Sequence, residues 1–152
     1  MSDTLPVLPA GMPGAAPDRS GLDIPFWEGT RSHELWIQRC NDCGGWQWGP
    51  EWICHRCHGF EMDWEQVEST GRIYSWMRVW HPVHPAMSDG VPFNVVLVEL
   101  PQAGGVRMIG NLVGEGTQTV EIGAKVEAVF EDHDDAEEPY TLVQWKPTEP
   151  KD

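Results

Sequence analysis

Apolar and polar positions first alternate cleanly between His33 and Gln38, with Leu35 and Ile37 on one side and Glu34, Trp36 and Gln38 on the other. Period two marks a half-buried strand, and this one runs directly into Cys40. After the cysteine-bearing segment, Glu65 to Ser69 is polar. Five further strands follow it. Arg72 to Trp80 is rich in β-formers (Ile73, Tyr74, Trp76, Val79). Asn94 to Leu100 is densely apolar, and Val106 to Val113 is its hairpin partner across the turn Pro101 to Gly105. Val126 to Glu131 alternates, with Val126, Ala128 and Phe130 on one face, and Thr141 to Lys146 is the last strand. The prolines of His81 to Pro92 exclude a regular ladder there. Asp23 to Gly29 predicts a short helix, capped by Asp23, with Pro25 in its first turn and Gly29 at its end. The fold class is mainly β: a short N-terminal helical segment, a metal-binding hairpin and a small C-terminal barrel. The five-stranded OB-fold barrel fits five short strands better than an open sandwich does.

All four cysteines lie between Arg39 and Gly59, as Cys40-Asn41-Asp42-Cys43 and Cys54-His55-Arg56-Cys57. A gap of two residues lets both thiolates of a pair face one ion. Two such pairs supply the tetrahedral four-sulfur set that zinc favours. The spacing predicts a structural Zn2+ held by Cys40, Cys43, Cys54 and Cys57, with a tight hairpin from Gly44 to Ile53 joining the pairs. Two disulfides or a CxxC redox pair are the competing readings. Four sulfurs would leave no open position for a catalytic water. His55 and His58 stand within reach of the metal as substitutes for a cysteine.

Composition narrows the function classes. The formal net charge is −14, and the ten Lys and Arg are scattered. Nucleic-acid binders draw most of their affinity from a basic footprint, so no nucleic-acid partner is expected; an acidic surface argues against anionic membranes as well. Neither a signal sequence nor a membrane-length apolar run is visible, and cysteines in metal spacing suit a reducing compartment. A cytoplasmic location without membrane insertion is the expectation. The nine tryptophans are too many for a small ribbon to bury, and a helix of one or two turns carrying Phe26 and Trp27 cannot stand alone. Phe26, Trp27, Trp46, Trp48 and Trp52 therefore either cover the ribbon against the barrel or form a partner interface.

The organisation expected is a disordered leader at 1–20, the helical segment and zinc ribbon at 21–66, the barrel at 67–147 and a tail at 148–152. No nucleophile elbow surrounds Ser75, and there is no phosphate loop. His81 and His84 read as ordinary loop residues. The acidic run from Glu131 to Glu138 reads as a solvated hairpin loop or an acidic docking surface, without the ligand spacing of an EF-hand.

The ordered marks Phe26-Trp27-Glu28-Gly29, Arg39-Cys40, Cys43-Gly44, Pro50 ahead of Cys54, Cys57, Gly71-Arg72-Ile73-Tyr74-Ser75, Val98-Glu99-Leu100 and Ile122-Gly123 carry a resemblance. From about Pro25 to Lys146 the chain resembles the zinc-ribbon and OB-fold proteins known as domain of unknown function 35. His55 departs from that pattern, where the family commonly has proline. The resemblance implies an N-terminal helical segment, a rubredoxin-like zinc ribbon and a C-terminal OB barrel. It further implies a non-catalytic, required subunit beside a thiolase-like or lipid-transfer-type protein acting on acyl-CoA. Such a partner is a thiolase, a hydroxymethylglutaryl-CoA synthase or an aldolase cleaving steroid side-chain acyl-CoA, with the acyl-CoA at or near the shared interface. CoA phosphates favour arginine, which makes Arg72 and Arg78 the candidate contacts. A single-stranded nucleic-acid-binding OB-fold protein and a stand-alone acyl-CoA-binding protein are the alternatives.

Overall fold

The computed structural model describes residues 20–148, together with Val7, Pro9, Ala10, Met12, Gly14, Pro17 and Asp18. The leader expected at 1–20 and the tail at 148–152 therefore lie largely outside the described residues.

Helix α1 spans Ile24–Arg31. Pro25 occupies its first turn as expected. Asp23 precedes it but makes no side-chain cap; its carboxylate accepts instead from the Trp27 indole Nε1 at 2.8 Å. Nor does the helix end at Gly29. It continues to Arg31, and Gly29 is buried because the Trp36 ring packs where a side chain would stand. The helix lies against both β1 (Leu35–Cys40) and the last strand, β8 (Tyr140–Pro147), so it ties the ribbon to the barrel.

The ribbon is a three-stranded antiparallel sheet in the order β2 (Trp46–Gln47), β1, β3 (Met62–Val67). Leu35 and Ile37 are fully buried, as their alternation predicts. β3 is a strand that the pattern does not predict. Met62, Trp64 and Val67 are half-buried and Asp63, Glu65 and Gln66 exposed, and the strand's register against β1, from Leu35↔Val67 to Cys40↔Met62, gives it its conformation.

The second unit is the expected five-stranded closed barrel. β4 (Thr70–Val79), β5 (Phe93–Leu100), β6 (Val106–Leu112), β7 (Lys125–His133) and β8 are joined in the order β4-β5-β6-β8-β7, and β4 closes on β7. β5 supplies Asn94, Val96, Val98 and Leu100 to the interior and leaves Phe93, Val95 and Leu97 half-exposed. Trp145 fills the centre with no exposed surface. β6 and β8 meet only at Leu112↔Trp145; the Val113 N–H to Trp145 carbonyl bond and the Asn111 N–H to Gln144 side-chain bond extend the join. β4 carries a bulge between Ile73 and Ser75, which bends the strand around the barrel.

The acidic run is not simply a solvated loop. β7 continues through its first half to His133, and Glu131 points inward, 3% exposed. Its carboxylate is bonded to the His133 ring at 2.8 Å and the Gln144 amide at 3.2 Å. A buried carboxylate needs such partners, and sequence alone does not reveal them. Among the described residues no helix is long and apolar enough to cross a membrane.

Candidate metal centre and partner-facing surfaces

Two turns of the same construction hold the cysteines. In the first, the Gly44 N–H donates to the Cys40 carbonyl and Gly44 has φ 70°. In the second, the His58 N–H donates to the Cys54 carbonyl and His58 has φ 60°. Both positions lie four residues past the leading cysteine and need the left-handed backbone region. Gly44 enters it freely, whereas His58 does so at a steric cost. Backbone N–H groups also point at sulfur, from Arg56 to Cys54 and from Gly59 to Cys57, each at 3.4 Å.

The four Sγ atoms lie within 4.8 Å of one another. Cys40 and Cys57 are 3.6 Å apart, as are Cys43 and Cys54. A tetrahedral ion with metal–sulfur bonds of about 2.3 Å places its sulfurs about 3.8 Å apart, so this cluster has the size of a four-thiolate metal site. The competing disulfide reading fails, since all four cysteines are free. The N–H groups of Cys57 and Arg56 pull the Cys54 thiol down to about 6. The Gly59 N–H acts on Cys57 in the same sense, but burial and the three neighbouring sulfurs outweigh it and push that thiol up to about 12. Four crowded sulfurs resist full ionisation by themselves; a dication bound among them would supply the missing charge.

Neither histidine joins the cluster. The His55 N–H and ring Nδ1 both meet the buried Gln47 Oε1, at 2.9 and 2.6 Å, and Gln47 Nε2 donates to the Ile53 carbonyl. Gln38, also buried, exchanges two bonds with the Glu51 backbone. These two glutamines pin the irregular segment between the knuckles. They look like ordinary polar residues in the sequence, and only their inward placement reveals the role.

The aromatic residues divide sharply. Phe26 is 8% exposed and packs edge-on against Trp27 and Trp48. Trp46 is half-buried between the Arg39 guanidinium, 4.8 Å from its ring, and Gly104 of the barrel. These four rings seal helix, ribbon and barrel together. Trp52, by contrast, is 71% exposed, and Phe60, absent from the candidate set, is 73% exposed at the same metal-bearing end of the chain. Arg78 is taken up internally: its guanidinium donates to Asn94 Oδ1 and the Gln118 carbonyl and lies over Trp76. Arg72 instead lines an open cleft of about 840 Å³ beside β7. His84 accepts from the Ala86 N–H and caps a short 3-10 turn, while His81 is exposed.

Residues 27–63 match the family model "ChsH2, rubredoxin-like zinc ribbon domain", and residues 64–131 match "ChsH2, C-terminal OB-fold domain". A DUF35 domain-containing scaffold protein of Methanocaldococcus jannaschii is 30% identical over 64% of this chain and 70% of its own length.

The chain belongs to the DUF35 family.

Two longer relatives fit this DUF35 assignment. A probable enoyl-CoA hydratase alpha subunit of Thermomonospora curvata is 35% identical over 86% of this chain and 39% of its own length. The 3-oxo-4,17-pregnadiene-20-carboxyl-CoA hydratase alpha subunit of Mycobacterium tuberculosis is 32% identical over 93% of this chain and 46% of its own. The chain thus spans less than half the length of these two proteins. Among solved structures, a chain of the Ltp2-ChsH2(DUF35) aldolase superposes with a TM-score of 0.71 at 32% identity, covering 87% of this chain and 98% of that one. A DUF35 protein of unknown function from Sulfolobus solfataricus, at 14% identity and TM-score 0.58, covers 85% and 87% and shares the fold. At His55, where the resemblance implied a proline, the backbone N–H is accepted by Gln47.

Proposed function

We propose that this chain is the non-catalytic zinc-ribbon and OB-fold subunit of a heteromeric thiolase-fold enzyme acting on acyl-CoA. The reaction class is carbon–carbon cleavage or formation, of which retro-aldol cleavage of a steroid side-chain acyl-CoA is the leading example. The observation that carries this reading is the near-complete match, 98% of that chain at 32% identity, to the DUF35 component of an aldolase named as an Ltp2-ChsH2 assembly. The names of the two longer relatives, both CoA-ester hydratase subunits, support an acyl-CoA setting. The acyl-CoA is proposed to lie at or near the interface of the two subunits.

In this reading the metal is Zn2+ and structural. The four sulfurs complete a tetrahedral shell, and the cluster fixes the ribbon whose exposed end carries Trp52, Ile53 and Phe60. Those three side chains form the proposed partner contact. Phe26, Trp27, Trp46 and Trp48 support it from within, because their packing sets the ribbon against the barrel. Truncating an interfacial tryptophan often costs about 2 kcal/mol or more, roughly a 30-fold loss of affinity. Trp52→Ala should weaken assembly with a lipid-transfer-type thiolase homologue to that extent while metal content stays at wild-type level. Assembly of unchanged affinity would remove Trp52 from the interface. Failure of the wild-type chain to associate with any such protein would sink the subunit reading.

A further inference from the structure

We propose that the end of the β7–β8 sheet face around Glu131 is a docking groove for an extended, proline-containing segment, and that the leader of this chain occupies it as an intramolecular strap. Residues 127, 129, 131 and 133 share one face of β7, and their β8 partners are Lys146, Gln144, Leu142 and Tyr140. That face is open to solvent at one end, where Lys146 and Glu127 pair across it. At the other end Glu131, Gln144 and Tyr140 are all buried.

The described leader residues lie at the buried end. The Val7 N–H donates to Glu131 Oε2 at 3.0 Å. Gly14 stands on the Tyr140 ring, where an added methyl group would lie 2.8 Å from the hydroxyl oxygen. Pro17 and Asp18 then line, with Ile24, Trp27 and Tyr140, a cavity of about 320 Å³ beside α1. The Pro9 ring rests on Gly90 of the loop between β4 and β5; a methyl group there would lie 2.6 Å from Pro9 Cγ. The contacts at 7, 14 and 17 advance in chain order from Glu131 past Tyr140 to the helix, as a strap laid on the strand pair requires.

Two features mark this as recognition. Val7 completes the partners of a buried carboxylate: His133 Nε2 meets Glu131 Oε1 at 2.8 Å, but Gln144 reaches Oε2 only at 3.2 Å. A buried charge needs such donors, and a backbone N–H on a carboxylate is a strong one. The leader also suits the groove in composition. Residues 4–17 carry no charged side chain in a chain of formal charge −14, so this segment meets the acidic end of β7 without repulsion. Pro6, Pro9, Pro13 and Pro17 limit the freedom lost on docking, and the Tyr140 ring, stacked on His133 at 4.6 Å, is the kind of aromatic surface that proline-rich segments favour.

The test is amide exchange by NMR on the full chain, beside a synthetic peptide of residues 1–20. The Val7 amide should exchange about ten-fold or more slowly in the chain than in the peptide. Glu131→Gln, and Gly90→Ala outside both strands, should each return it toward the peptide rate while the β5 amides stay protected. Val7→Pro removes the N–H without altering the barrel. A fluorescent copy of the peptide should bind that variant about ten-fold or more tightly than wild type, whose groove is filled. Peptide-like exchange of Val7 in wild type, protection unchanged in both barrel variants, or equal peptide binding by Val7→Pro and wild type would overturn the proposal. Protection lost on dilution, with a dimer by size exclusion, would give the groove to the leader of a second copy and overturn the intramolecular strap.

Discussion

Gly104 is the point at which the barrel receives the ribbon. It sits in the turn between β5 and β6 with φ 64°, and a methyl group added there would lie 2.8 Å from Trp46 Cδ1 and 3.3 Å from two further Trp46 atoms. Its neighbour Gly105 has a similar φ of 77° but nothing within 4 Å of the corresponding position. Alanine at either site incurs the left-handed backbone penalty of about 1–2 kcal/mol. Only at Gly104 does it also press on the Trp46 ring, and overpacking of this kind costs about 1–3 kcal/mol. Trp46 cannot retreat freely, because Arg39 lies over its other face and is itself bonded to the Gly44 carbonyl and Glu65. Gly104→Ala should therefore destabilise by about 2–5 kcal/mol and Gly105→Ala by about 1–2. Urea unfolding followed by tryptophan fluorescence measures both. Combining each with Trp46→Ala completes the argument: the double variant at Gly104 should recover about 1–3 kcal/mol relative to additivity, and that at Gly105 none. Equal destabilisation at the two glycines, or no coupling to Trp46, would refute the claim that Trp46 on Gly104 sets the joint.

Chelation, or Cys54→Ser, should release the metal and unfold the ribbon while strand signals of the barrel persist, because the knuckles hold too little apolar surface to fold unaided; metal analysis with circular dichroism checks this. His58→Gly should stabilise the metal-bound protein by about 1 kcal/mol by relieving the left-handed backbone at that knuckle, read as a higher urea midpoint. Burial acts to raise the Asp132 carboxyl, but the Thr141 hydroxyl, His33 and Arg31 together hold it below its ordinary value. A depressed carboxylate contributes stability that is present above its unfolded value of about 3.9 and lost as the pH falls through its folded value. Asp132→Asn should accordingly lower the melting point at neutral pH and shallow the acid limb below about pH 4, the two curves converging there.

The four-cysteine cluster and the barrel strands were legible in the sequence because each rests on a short-range rule: two-residue cysteine spacing, and alternation of apolar positions. What could not be read depends on partners distant in the chain. β3 alternates only over Met62 to Glu65, too short a run to mark a strand by itself, and is completed by pairing with β1. The inward Glu131 is indistinguishable from its exposed acidic neighbours until Gln144 and His133 are brought beside it. Gln38 and Gln47 carry no motif, yet they hold the segment between the knuckles. The tryptophans could be counted but not sorted, since burial of Trp46 and Trp48 against exposure of Trp52 follows from where α1 and the β5–β6 turn land.

The most direct test of the subunit claim is reconstitution. A lipid-transfer-type thiolase homologue is purified alone and after co-expression with this chain, and both preparations are assayed for retro-aldol cleavage of a 3-hydroxyacyl-CoA with a steroid-like side chain. The account predicts a stable complex by size exclusion, cleavage by the complex, and little or none by either component. A partner fully active alone, with this chain eluting separately, would contradict it.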